Sequence, residues 1–134
     1  LKLEGRVVSG PGRGRYFISL PIYYLLFTEI LNEEPYPGTL NVDMGTPVSN
    51  IERLCKPLFV RNVFFEGKLY GGFRYWLGSI GRDNTATADV VVVRPNLSKH
   101  HEGILEVVSS KYLRELLRLR DGDYVWLELR CFKG

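Results

Sequence analysis

Hydrophobic and polar positions along the 134-residue chain change their rhythm several times, and each change marks an element. Leu3–Val8 reads as a strand, is followed by a glycine–arginine loop, and leads into Arg15–Ser19, which reads as a second short strand. Ser19 and Pro21 then form a helix-start signal, because the missing N–H of Pro costs nothing in a first turn. Leu25, Leu26, Glu29 and Ile30 carry that helix to about Asn32, and the two prolines of Glu34-Pro35-Tyr36-Pro37-Gly38 end it. Thr39–Asp43 reads as a strand, and a turn of helix is expected around Asn50–Leu54. Leu58–Glu66 and Leu69–Leu77 read as strands joined at Gly67-Lys68. The four valines between Asp89 and Arg94 suit a buried strand, Ala88–Arg94, closed by Pro95. Ile104–Val108 is a further strand, and Lys111–Leu117 has the apolar spacing of a second short helix. After the Asp121-Gly122-Asp123 turn, Tyr124–Arg130 closes the chain as a strand. Strands and helices do not alternate, which disfavours a doubly wound parallel sheet. Many short strands with turn signals predict a mainly β fold, a small closed barrel with two short helices.

Composition narrows the class more than the function. At 45% hydrophobic and 25% charged the chain reads as one soluble domain over residues 1–134. A net charge of +3 is too mild to select a nucleic-acid binder and is compatible with a local site for a small anion. The longest apolar stretch, near Tyr23–Phe27, is far short of a membrane span, so no membrane partner is expected. Cys55 and Cys131, the only cysteines, read as small buried residues, and a reduced, cytoplasmic compartment is the simplest expectation. The chain begins at Leu1 rather than Met, which leaves room for a preceding segment.

Four stretches carry candidate chemistry. In Ser9-Gly10-Pro11-Gly12-Arg13-Gly14-Arg15-Tyr16, glycines let backbone N–H groups converge on an anion while arginines add forks that match phosphate oxygens. The Walker wording is absent, and a plain flexible turn is the alternative. In a strand, Thr39 and Asn41 face the same side and present two oxygens suited to a hard cation such as magnesium; two ordinary polar residues of an exposed face are the alternative. The run Ser98-Lys99-His100-His101-Glu102 lacks the ligand spacing of a zinc site and reads as a solvated loop. Glu106, in an apolar strand, is either a base that takes a proton from a substrate hydroxyl or an outward-facing strand glutamate. The start of the Lys111–Leu117 helix, with Lys111 and Arg114, fits an anion site or a plain amphipathic surface.

The order of Gly10–Tyr16, Pro37-Gly38-Thr39-Leu40-Asn41-Val42, His100-His101 with Leu105-Glu106, and Leu113-Arg114 with Leu119–Asp123 resembles the archaeal CTP-dependent riboflavin kinases. The resemblance covers about Lys2 to Leu129, with Phe64–Asp83 the least clear part. It implies a six-stranded cradle-loop β-barrel that moves the γ-phosphoryl group of CTP to riboflavin, yielding FMN and CDP. It implies that Gly10, Pro11, Gly12, Arg13, Gly14 and Arg15 hold the nucleotide phosphates and that Lys111, Tyr112, Leu113 and Arg114 line the nucleotide site. Thr39 and Asn41 would bind magnesium, and Ser98 and Glu106 would contact the flavin, Ser98 standing where a threonine is expected. Some relatives carry a preceding DNA-binding domain; for this domain no nucleic-acid partner is expected. The rival class is a non-enzymatic barrel that binds nucleic acid, or senses flavin or nucleotide, without turnover.

Overall fold

The computed structural model describes residues 1–10, 14–83, 86–96, 98 and 100–133. Within them the sequence alternation becomes nine strands: β1 (Lys2–Val8), β2 (Leu40–Asp43), β3 (Leu58–Val60), β4 (Val63–Phe65), β5 (Lys68–Tyr70), β6 (Phe73–Gly81), β7 (Thr87–Pro95), β8 (Ile104–Val108) and β9 (Tyr124–Leu129). The main sheet runs β3-β6-β7-β8-β2-β1-β9, and β6 also pairs with β9. That pairing closes β6-β7-β8-β2-β1-β9 into the expected six-stranded barrel, antiparallel throughout, with β3 as an added edge. Closure brings β6 close to β9: a Cβ at Gly78 would collide with the Glu128 carbonyl, so this position takes a residue without one.

Among the described residues there are four helices rather than two: α1 (Gly14–Ser19), α2 (Pro21–Leu31), α3 (Val48–Leu54) and α4 (Leu113–Leu116). The strand expected over Arg15–Ser19 is α1. Phe17 and Ile18 pack with α2 against the outside of the sheet, and that tertiary burial overrides local propensity. Helix α2 starts with Pro in its first turn as expected, and it ends at Asn32 in the left-handed conformation. The long hairpin expected over 58–77 is broken into β3, β4, β5 and β6. Its tight turn is Glu66-Gly67, both at positive φ, one residue earlier than expected.

The valine run explains the layering. Val90 and Val92 face the barrel interior with Trp76, Leu105 and Leu127, while Val91 and Val93 face outward under Ile18, Tyr23 and Phe27 of α1 and α2. Both faces of β7 are covered, so its polar alternation disappears. Ile51 of α3 and Leu113 of α4 join the interior cluster, α3 following the end of β2 and α4 the end of the antiparallel β8, so they cap opposite ends.

The cysteine expectation is corrected. Cys55 and Cys131 form a disulfide across 76 residues of sequence, a separation that hides their proximity. The C-terminal tail is led back to the end of α3, where the Phe132 N–H donates to the Lys56 carbonyl at 2.8 Å. Among the described residues, no helix is long and apolar enough to cross a membrane.

Candidate active site on the outer face of the barrel

Glu106 lies in β8 between the inward-facing Leu105 and Val107, so its side chain points out of the barrel. Outward here does not mean into solvent. The α1–α2 layer covers the neighbouring Val93 and Val108, and the Glu106 side chain keeps only 13% of its exposure. Glu106 is thus outward-facing, as one of the two sequence alternatives has it, but largely buried rather than solvated. Burial pushes the Glu106 carboxyl above its ordinary range. His100, a hydrogen bond from Thr39, and Arg94 pull the other way without cancelling it. The Thr39 hydroxyl donates to Oε1 at 3.1 Å, and His100 Nε2 stands 3.8 Å from Oε2. Arg94 braces the loop that presents His100, its Nη1 donating to the carbonyls of His101 at 3.0 Å and Ile104 at 2.9 Å.

Thr39 and Asn41 are brought to this same patch. Thr39 precedes β2 by one residue, and Asn41 is paired with Glu106 across β2–β8 and with Val8 across β2–β1. Asn41 Oδ1 is buried and has no hydrogen-bond partner among the described residues. An oxygen withdrawn from water without a donor is costly unless something satisfies it, and a hydroxyl and an amide oxygen are the ligands a hard cation takes. The donor set thus fits magnesium. The glycines on either side of the loop press onto the pair: a Cβ at Gly10 would run into the Asn41 side chain, and one at Gly14 into Thr39. Pro11, Gly12 and Arg13 lie outside the described residues. Arg15 is exposed on α1.

A cleft opens beside Thr39, lined by Tyr36, Ser109, Lys111, Tyr112 and Arg114 among others. Tyr36 and Tyr112 stack flat, with ring centroids 4.7 Å apart and planes within 10°. Leu113 borders the cleft, but its side chain is buried in the barrel interior. The helix expected over Lys111–Leu117 is the single turn α4, so the helix-end dipole contributes little, and Lys111 and Arg114 supply the positive charge. Ser98 belongs to the His100 loop, where its Oγ accepts the His100 N–H at 3.2 Å.

Sequence reading missed three contributors. His100 is visible as a rejected zinc ligand and as part of the His100-His101 motif, but with no role beside Glu106; Tyr36 reads as part of a helix-ending proline run. Arg94 carried no signal, since its partners are backbone carbonyls of a loop that folds back on it.

A family model described as the CTP-dependent riboflavin kinase domain, and also as domain of unknown function DUF120, matches residues 7–129. The chain belongs to this family. The matched span runs from β1 to the end of β9 and includes Thr39, Asn41, Glu106 and the cleft. It also takes in Phe64–Asp83, where the motifs alone match least clearly. The chain is similar to the riboflavin kinase of Sulfurisphaera tokodaii, 35% identical over 133 residues that cover 96% of this chain and 95% of the relative. The riboflavin kinase of Ignicoccus hospitalis is 36% identical over 125 residues, 93% of this chain and 69% of the relative. That of Methanosarcina barkeri is 32% identical over 97% of this chain, which spans 57% of that longer protein. The CTP-dependent riboflavin kinase family is a family of enzymes, and the buried carboxylate beside an anion-suited cleft is consistent with phosphoryl transfer.

Proposed function

We propose that the protein transfers the γ-phosphoryl group of CTP to the terminal ribityl hydroxyl of riboflavin, giving FMN and CDP. The observation that carries this reading is the placement of Glu106. A largely buried carboxylate is held by Thr39 on the patch where Gly10, Gly14 and Asn41 converge. In this reading the ribityl oxygen attacks the γ-phosphorus, the bond from that phosphorus to the β-phosphate oxygen breaks, and CDP leaves with the bonding pair. Glu106 orients the hydroxyl and takes its proton. The carboxyl's raised proton affinity, set by burial, suits it to hold that proton.

Gly10, Pro11, Gly12, Arg13, Gly14 and Arg15 hold the phosphates, with Lys111 and Arg114 adding charge from the cleft. Tyr112 and Leu113 complete the nucleotide wall, and Ser98 with Glu106 faces the flavin. Thr39 and Asn41 would hold magnesium, which when bound neutralises charge on the triphosphate. The choice of CTP as donor rests on the family description. The reading assigns residues 1–134 to one kinase domain acting in the cytoplasm.

The test is to incubate the protein with riboflavin, magnesium and either CTP or ATP and to separate the flavins chromatographically. FMN with CTP and little with ATP is expected. No FMN with either donor removes the kinase reading, and salt-sensitive oligonucleotide binding in its place would favour a non-enzymatic barrel.

A further inference from the structure

The Asp121-Gly122-Asp123 turn does more than reverse the chain. Its first carboxylate links the residue that follows β1 to an arginine of the cleft. From one side, the hydroxyl of Ser9, the residue before Gly10, donates to Asp121 Oδ2. From the other, Arg114 Nη2 donates to Asp121 Oδ1 at 2.8 Å. Arg114 also lines the cleft, and its Nε and Nη1 have no partner among the described residues. The hydrogen bonds from Ser9 and then Arg114 hold the Asp121 carboxyl below its usual range. The turn is anchored without using this side chain: Gly122 N–H donates to the Val7 carbonyl at 2.7 Å, and Val7 N–H to the Asp123 carbonyl at 2.8 Å. Asp123 Oδ2 separately accepts from the Arg120 N–H at 2.7 Å and Arg82 Nη1 at 3.0 Å.

An acidic group beside a polyanion site opposes binding unless its charge is used for something else. Here it ties an arginine to the root of the glycine–arginine loop. We propose that Asp121 is a positioning residue for the nucleotide. It holds Arg114 with part of its fork left for phosphate in the cleft, and its bond with Ser9 fixes the carboxylate that does so. The inference rests on the kinase reading for the identity of the anion; the strut itself is geometric.

The experiment is calorimetric titration of the full chain with CTP and, separately, with inorganic tripolyphosphate, in magnesium and without riboflavin. Riboflavin binding is followed in parallel by flavin fluorescence, and thermal melting checks the fold. Asp121→Ala should weaken both anions about tenfold or more, the loss of charge-assisted hydrogen bonds expressed as a dissociation constant. Riboflavin affinity and melting temperature should stay at wild-type values, since the turn keeps its backbone anchors. Asp121→Glu should recover most of the anion affinity, and Ser9→Ala should lose less than Asp121→Ala. Unchanged anion affinity in Asp121→Ala, or an equal loss for riboflavin, overturns the proposal. A wild type that binds both anions yet forms no FMN removes the kinase reading and leaves the strut standing; one that binds neither anion overturns both.

Discussion

Glu106 shows how a site residue is made by its surroundings. Desolvation raises the carboxyl's proton affinity in the folded state, more than His100, Thr39 and Arg94 lower it. The folded protein therefore binds this proton more tightly than the unfolded chain does. Stability from this group is lost as pH rises from the unfolded to the folded pKa, and the destabilisation is complete above the folded value. Glu106→Gln should accordingly melt higher than wild type at neutral pH, with the difference vanishing below the ordinary carboxylate range. If Glu106 is the base of the proposed reaction, the same shift should move the acid limb of the turnover profile upward, because a base works only when ionised. A pH profile of turnover and paired melting curves check both signs. A wild-type limb at the position of an ordinary glutamate would contradict the burial argument. Little of this is legible beforehand: a carboxylate in an apolar strand stands out, but the groups gathered around it, Thr39, Arg94 and His100, come from other segments of the chain.

At the scale of elements, what could be read depended on whether local pattern or tertiary contact decides the outcome. Strands β1, β2, β8 and β9 follow from alternation and punctuation, β7 from its run of valines, and α2 from its proline start. Helix α1 did not, because Phe17 and Ile18 look like strand residues until the aromatic layer of Tyr23, Phe27 and Phe73 receives them. The α1 start has a consequence for the site. Gly14 opens the helix directly against Thr39, and an added Cβ would meet both the Thr39 hydroxyl and its backbone N. Gly14→Ala should push Thr39 off Glu106 at a cost of about 1–3 kcal/mol in stability, the usual range for overpacking. Turnover should fall more than stability explains. Steady-state kinetics with a melting curve decide it, and wild-type turnover would show that the contact does not matter.

Across the whole molecule, the closure of β6 on β9 and the Cys55–Cys131 bridge are the features a linear reading hides. Both join segments far apart in sequence, and neither has a local signature. The bridge closes a loop of 76 residues, for which chain entropy gives an upper stabilisation of about 4 kcal/mol. Cys131→Ser, or treatment with a reductant, should lower the unfolding midpoint in denaturant. Turnover at moderate temperature should persist, because the bridge ties the tail to α3 rather than to β8 or the cleft. An unchanged midpoint would mean that the bridge adds no stability.

The central claim is that the outer face of this barrel is a phosphoryl-transfer site in which Glu106 takes the acceptor's proton. Its most direct measurement is the turnover of Glu106→Gln against wild type, read as FMN formed from riboflavin and CTP, with CTP affinity measured on the same samples. Turnover lower by roughly a hundredfold or more, as for loss of a general base, with CTP affinity little changed, is the expected result. Wild-type turnover in Glu106→Gln, or a loss explained entirely by weaker CTP binding, would contradict the claim.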